Sequence, residues 1–298
     1  ESGHVSRSES GHVSRSESEK ERVERLYGSR CPYCGEEKKG LADHIAAMHS
    51  GSSVGKSNTI TIGTAETFIQ GKGSVYLEEF SSIDDAAAEI LSEYEDWLGL
   101  EGLNELSDAA AESLAKHENW INLNGLKKLS DEAAESLSKH KGGLHFEGLS
   151  ELSDEAFESL SKHRGGLGLQ GLTKLSDAAA EYLSEYEGWL GLGGLTELSD
   201  AAAESLSKHQ GELSLVGLTE LSDAAAKSLS KHQGELELVG LMELSDAAAK
   251  SLANHKEDIH LDGLTKLSDV AVACLSKKSG KIGYELPRDW VARFKQDT

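Results

Sequence analysis

Three sets of residues are of types that could do chemistry. Cys31 and Cys34, two residues apart, form a pair fit to hold a metal ion. Gly51-Ser-Ser-Val-Gly-Lys-Ser57 suggests a phosphate-wrapping loop, but that motif needs four residues between its glycines and here there are three. It also leads into Thr59-Ile60-Thr61-Ile62, a strand pattern, where the motif requires a helix N-terminus. A linker is the reading. Third, His117, His140, His163, His209, His232 and His255 occupy one recurring position, with Tyr94 and Tyr186 in the same slot. A column of imidazoles could be a metal ladder or a pH switch. Tyr in that slot packs and hydrogen-bonds rather than ligates. The column is therefore expected to be structural, each ring donating to orphan carbonyls at a helix C-terminus and complementing its dipole. Residues that recur for reasons the repeat explains do not make a catalytic cluster, and no acid–base or nucleophile–base pair stands out, so no enzymatic activity is expected.

The histidine column exposes what positions everything else. From Ile83, the residues Leu106, Leu129, Leu152, Leu175, Leu198, Leu221, Leu244 and Leu267 follow at a constant 23-residue spacing. A fixed period of this size is the signature of a solenoid. In one unit, Leu221-Ser222-Asp223 opens a helix that is expected to close near His232 and Gly234. Ser222 suits the N-cap, Asp223 places negative charge at the positive end of the dipole, and Lys231 with Gly234 reads as a stop. Leu236-Glu237-Leu238 then alternates apolar and polar, as do Leu98-Gly99-Leu100 and Ile121-Asn122-Leu123, the pattern of a strand with one buried face. One short strand and one short helix per unit predicts an α/β solenoid with a parallel sheet on one face and helices on the other.

With L-x-L-x-G-L-x-x-L, as in Leu213, Leu215, Gly217, Leu218 and Leu221, the chain resembles the leucine-rich-repeat family. The L-S-D-x-A-A-x-x-L-S-x-H pattern is most similar to its bacterial members. The likeness runs from about Gly73 to the C-terminus. It departs where the family has Asn or Cys, since Leu218 and its equivalents stand there and an asparagine ladder is missing. The resemblance implies partner binding in general and no particular partner. Ahead of the repeats, CPYCGEEKKGLADHIAAMH resembles a two-Cys, two-His zinc finger. The resemblance implies one structural zinc held by Cys31, Cys34, His44 and His49, with no position open for water. Only nine residues separate Cys34 from His44, and the family's base-facing positions would be Glu37, Lys39, Gly40 and Asp43, so protein contact or stapling of the tail is preferred to DNA reading.

These elements divide the chain into a low-complexity tail over 1–30, in which ESGHVSRS is printed twice, and the zinc-finger-like module over 31–50. A linker over 51–57, an N-terminal sheet cap over 58–74, about nine repeats over 75–280 and a C-terminal cap over 281–298 complete it. The tail reads as disordered, as a linker or exposed arm, with phosphorylation the sharper alternative. Net charge is −22, of which −21 falls on residues 51–298, so the repeat body should repel nucleic acid and anionic membrane. No apolar run is long enough to span a bilayer and no secretory segment is evident. Three cysteines without a disulfide framework point to a reducing, cytoplasmic compartment, and a monomer is expected.

The informative residues break the repeat. On the sheet face, the position before L-x-L reads Trp97, Trp120, Gly143, Gly166, Trp189, Glu212, Glu235 and Asp258. The position between its leucines includes Tyr76, Gly99, Asn122, His145, Glu237 and His260. Strand alternation points both outward onto a concave surface. Three tryptophans beside Glu212, Glu235, Glu237 and Asp258 suggest a protein or peptide site that prefers a basic partner. Against this, each Trp could pack over a flanking Gly, Trp97 beside Gly99 for example, and merely seal a turn. Two other functions are open: a carbohydrate-binding module stacking sugars on the tryptophans, and a nucleic-acid-linked regulator acting through the finger and tail.

Overall fold

A computed structural model of the chain describes residues 58–71 and 75–294. The segment with Cys31, Cys34, His44 and His49 lies outside the described residues, as do the tail and linker. The described chain alternates short strands and helices at the 23-residue period. It begins with β1 (Thr59–Ile60), α1 (Ile62–Ile69), a 3-10 turn (Leu77–Glu79), β2 (Ser82–Ile83) and α2 (Asp85–Leu91). Then come β3 (Leu98–Gly99), α3 (Asp108–Leu114), β4 (Ile121–Asn122), α4 (Asp131–Leu137), β5 (Leu144–His145), α5 (Asp154–Leu160), β6 (Leu167–Gly168) and α6 (Asp177–Leu183). The last units are β7 (Leu190–Gly191), α7 (Asp200–Leu206), β8 (Leu213–Ser214), α8 (Asp223–Leu229), β9 (Leu236–Glu237), α9 (Asp246–Leu252), β10 (Ile259–His260), α10 (Asp269–Leu275) and α11 (Pro287–Ala292).

Strands β3 to β10 form one parallel sheet in sequence order, and each pairs with the next in a register of 23 residues, Leu98 opposite Ile121 and Leu213 opposite Leu236. Unslipped register follows from the unslipped period, because a one-residue shift would turn each inward leucine to solvent. Inward-facing Leu98, Leu100 and Leu103 with Ala110, Ala111 and Leu114 are fully buried, and their equivalents repeat along the whole core. The fold is thus an α/β solenoid of leucine-rich-repeat architecture. Stability in such an array comes from nearest-neighbour interfaces, so what joins one unit to the next decides it.

Two devices join them. The N-cap serine accepts from its own helix, as Ser222 Oγ does from Ala225 N–H at 2.9 Å, and donates to the aspartate of the preceding unit. The same bond links Ser107 to Asp85, Ser130 to Asp108 and Ser199 to Asp177, each at 2.5 Å. The aspartate that the sequence marks only as a capping charge is therefore also the acceptor that ties adjacent helix starts together. Ser222→Ala should destabilise by about 1 kcal/mol; a urea midpoint unchanged from the parent would count against the bond.

The second device is glycine. A Cβ on Gly217 would lie 2.1 Å from Gly193 O and one on Gly234 1.9 Å from Gly211 O, so both columns hold bare backbone where neighbouring units touch. This corrects the reading of Gly234 as a helix stop: among the described residues only Gly71 and Gly283 have positive φ, and α8 already ends at Leu229. His232 lies beyond the helix, where its N–H closes a turn on Leu229 O at 3.0 Å.

Both ends also differ from expectation. Residues 58–69 are not a sheet cap: only Thr59–Ile60 is strand, while Thr61 N-caps α1. Thr59 pairs with Ser82 and Ile60 with Ile83, so this is one more unit at the same 23-residue offset. The expected first strand at 75–77 gives way to the 3-10 turn. At the far end Ile282 makes only an isolated parallel bridge to Ile259 and turns back on Glu285, adding no ninth strand to the sheet. Buried Trp290, Val291 and Pro287 on α11 cover this end, and the Trp290 indole donates to Asp262 at 3.3 Å. Trp290 is therefore core cover.

Candidate interaction face on the parallel sheet

The sheet is the natural place to look for function, because its outward residues are the ones the repeat leaves free to vary. Trp120 enters from the residue before β4, and its indole runs along the sheet over the next two units. A Cβ on Gly143 would meet Trp120 Cε3 at 2.2 Å, and one on Gly166 would meet Cη2 at 2.6 Å. Two side chains are thus absent so that one indole can occupy their place. Trp189 lies over Gly191 in the same manner, with Cη2 2.8 Å from the missing Cβ.

His145 completes the surface. Its ring centroid is 4.9 Å from that of Trp120 and 5.7 Å from that of Trp189, and the two indoles are 6.5 Å apart. Trp120, His145 and Trp189 therefore make one continuous aromatic floor. The packing of tryptophan over glycine holds, but it does not bury the rings: Trp120 remains 40% and Trp97 52% exposed. Trp97 rests on Gly99 and is one unit removed from the floor. A large apolar side chain left half in water marks an interaction surface more often than a packing defect.

Directly beyond Trp189 the same column becomes Glu212 and then Glu235, with Glu237 beside them. Partial burial, followed by the charges of Glu235 and Glu237, pushes the Glu212 carboxyl above the usual carboxylate range, while the Trp189 indole N–H and His260 pull it back. Among the described residues no Lys or Arg pairs with Glu212, Glu235 or Glu237; the ion pair there is His260 Nε2 with Glu235 at 2.6 Å. His260 is nearly buried, at 7% exposure, and its Nδ1 faces Asp262 at 3.7 Å. Glu235 engages Nε2, while the contact of Nδ1 with Asp262 is longer than a hydrogen bond. Asp262 was missed from sequence because it sits one place beyond the alternating pair.

Three other expected face residues have local roles. Asn122 donates to Glu101 at 2.9 Å and accepts from Asn124 N–H, so it is engaged by its neighbours. Asp258 accepts from Lys281 N–H at 2.7 Å, and exposed Tyr76 leads the 3-10 turn rather than a strand. On the opposite side, a groove of about 780 Å³ between α3 and α4 is lined by Asp108, Glu112, Lys116, Glu135 and Lys139. These are solvated charges of both signs, including the exposed Lys139–Glu135 pair, with nothing converging on a ligand.

The histidine column is an interior ladder. His117, His140, His163, Tyr186, His209, His232 and His255 stack nearly parallel, with centroids 5.6 to 6.4 Å apart. All are buried. Burial, reinforced by the flanking imidazoles, pushes His140 and His232 down to about 4. The rings are therefore neutral at pH 7 and do not complement the helix dipole as charges. His209 Nδ1 is 2.5 Å from Tyr186 O, in the preceding unit, so the contact runs between repeats rather than within one helix. Lys278 takes the next place, its amine donating to His255 O at 3.0 Å and to Glu257 O, with burial lowering it to about 8.

No family model matches the chain, and no curated protein matches it. Among solved structures, an internalin from Listeria monocytogenes is similar at 14% identity and a TM-score of 0.36, over 68% of this chain and 74% of that one. The architecture assigned above rests on the 23-residue unit and its in-register parallel sheet. No described helix is long and apolar enough to cross a membrane.

Proposed function

We propose that the chain is a non-enzymatic interaction scaffold that binds a protein or peptide on its sheet face. Trp97, Trp120 and Trp189 anchor the partner, and the carboxylates of the later units select a basic one. The observation that carries this reading is the aromatic floor itself: glycines at 143, 166 and 191 leave room for the indoles of Trp120 and Trp189, Trp120 remains 40% exposed, and no described Lys or Arg pairs with the neighbouring carboxylates. Aromatic anchors next to uncompensated charge are what binding hot spots are made of.

The test is selection from a displayed random-peptide library on the full chain, with a Trp97→Ser/Trp120→Ser/Trp189→Ser variant as control. These side chains stand outside the core, so the variant should keep the parent's circular dichroism and melting temperature. Selected peptides should bind the variant at least about tenfold more weakly, the effect of losing aromatic anchors. Selection that yields nothing, or peptides indifferent to the tryptophans, overturns the site. Sugar stacking is the second reading, favoured by the exposure of Trp97 at 52%; a glycan array lit by the parent and dark for the variant would establish it.

For Cys31, Cys34, His44 and His49 the proposal is a structural zinc that holds residues 31–50 together, with protein contact preferred over DNA reading. Elemental analysis of the purified chain should find about one zinc per polypeptide and none after Cys31→Ser/Cys34→Ser. Equal zinc in both would refute the assignment.

A further inference from the structure

The C-terminal unit already contains a small recognition motif, satisfied from within the chain. Arg293 lies over the Trp290 ring, 5.2 Å from its centroid, and reaches Glu285 at 3.3 Å and Asp262 at 3.9 Å. A guanidinium is planar and weakly hydrated, so it can lie on an indole face and still donate in its own plane to a carboxylate; an ammonium cannot do both as well.

Similar components recur a few strands away with no Lys or Arg paired to them. Trp189 presents its indole beside Glu212, the next residue in the same column, and Glu235 follows one strand further on. Trp189, Glu212 and Glu235 occupy the same position on successive strands, so the carboxylates border the floor at its Trp189 end. Adjacent strands are about 4.8 Å apart, so a flat group over Trp189 lies beside Glu212 and within reach of Glu235. His260 occupies one oxygen of Glu235. That leaves Glu212 as the principal acceptor.

We propose that the floor formed by Trp120, His145 and Trp189, with Glu212 and Glu235 at its edge, is an arginine-binding site for arginine-bearing peptide segments. This rests on the scaffold reading and sharpens it from a basic partner to a guanidinium. Charge complementarity argues for the occupant, since residues 51–298 carry −21 and no described Lys or Arg pairs with Glu212 or Glu235. The shape of the floor argues for arginine over lysine. Trp189 supplies the stacking surface, Glu212 the paired acceptor, and Trp120 with His145 the extension that accepts the aliphatic stem.

The experiment uses the full chain labelled with nitrogen-15 and three end-blocked pentapeptides, Gly-Arg-Gly-Arg-Gly and its lysine and citrulline counterparts. The indole N–H signals report which tryptophan is touched. The arginine peptide should shift Trp189 and Trp120 but leave buried Trp290 in place, and bind at least about fivefold tighter than lysine, the scale of a stacked, paired guanidinium. Citrulline, planar but uncharged, should bind more weakly than either. Glu212→Gln should cost the arginine peptide about fivefold or more and erase its advantage over lysine, while Glu112→Gln, exposed on the opposite helix face, should leave that advantage intact. Equal binding of arginine and lysine, or indifference to Glu212→Gln, overturns the arginine assignment even where the tryptophan signals move. If none of the three peptides shifts Trp120 or Trp189 while library peptides bind through the tryptophans, the arginine site fails and the scaffold reading stands. Failure of both experiments removes the two together.

Discussion

Acidification from pH 7 to pH 4 should unfold the repeat body in a cooperative transition, because its interior ladder is built from imidazoles that fold only when neutral. His140 and His232 are each lowered from 6.5 to about 4, and His117, His163, His209 and His255 are lowered as well, with burial the leading cause in every case. The folded-state values lie below the unfolded ones, so between them the unfolded chain binds more protons. Stability is complete above about pH 6.5 and is lost as pH falls toward the folded values. A shift of this size corresponds to on the order of 3 kcal/mol for each of the two central rings, and the other four add to it. Far-ultraviolet circular dichroism against pH measures the transition. His232→Tyr, which copies the residue already present at Tyr186, should move the midpoint to lower pH. A midpoint insensitive to that change, or helicity retained at pH 4, would show that the ladder does not control acid stability.

Placing a methyl group in the inter-unit glycine columns should be the most damaging of small substitutions. A Cβ on Gly165 would stand 1.8 Å from Gly142 O, and one on Gly240 would stand 2.3 Å from Val216 O. In each case the obstacle is backbone, which cannot rotate away. Separating two units also strains their strand pairing and the contact of the next ladder ring. Gly165→Ala should therefore cost about 3 kcal/mol or more, at the severe end of overpacking. It should also split urea unfolding into two steps, because units on either side lose their coupling. Gly193→Ala is the matched control, since its nearest obstacle is the Val216 Cγ2 methyl at 3.0 Å, the end of a side chain. Comparable losses in the two variants would argue against backbone contact as the reason for glycine.

The period made the strand–helix unit legible, because a core-facing leucine and an N-cap serine carry their reasons within a few residues. What lies between units was harder to read. The Ser222–Asp200 bond joins residues 22 apart, and local spacing cannot distinguish it from a plain cap. The unit starting at Ile60 was hidden because Thr and Ile alternate there as in a strand, although Ile60 stands 23 residues before Ile83. At the candidate site, the pairing of tryptophan with glycine could be anticipated at Trp97 and Gly99. The reach of Trp120 across Gly143 and Gly166 could not, since it depends on the rotamer that directs the indole along the sheet. Glu212, Glu235 and Glu237 were legible as a charged stretch, and the engagement of His260 by Glu235 was not.

Lys278 changes how the described stack of rings ends. A stack of identical units is in principle open at its last edge, where strand groups are left without partners. At this edge an ammonium donates to the carbonyls of His255 and Glu257 in the slot an imidazole would fill, and Ile282 folds back onto Glu285 in place of a full strand. Polar groups that would face a further unit are thus taken up locally, which blunts this edge against pairing with another strand.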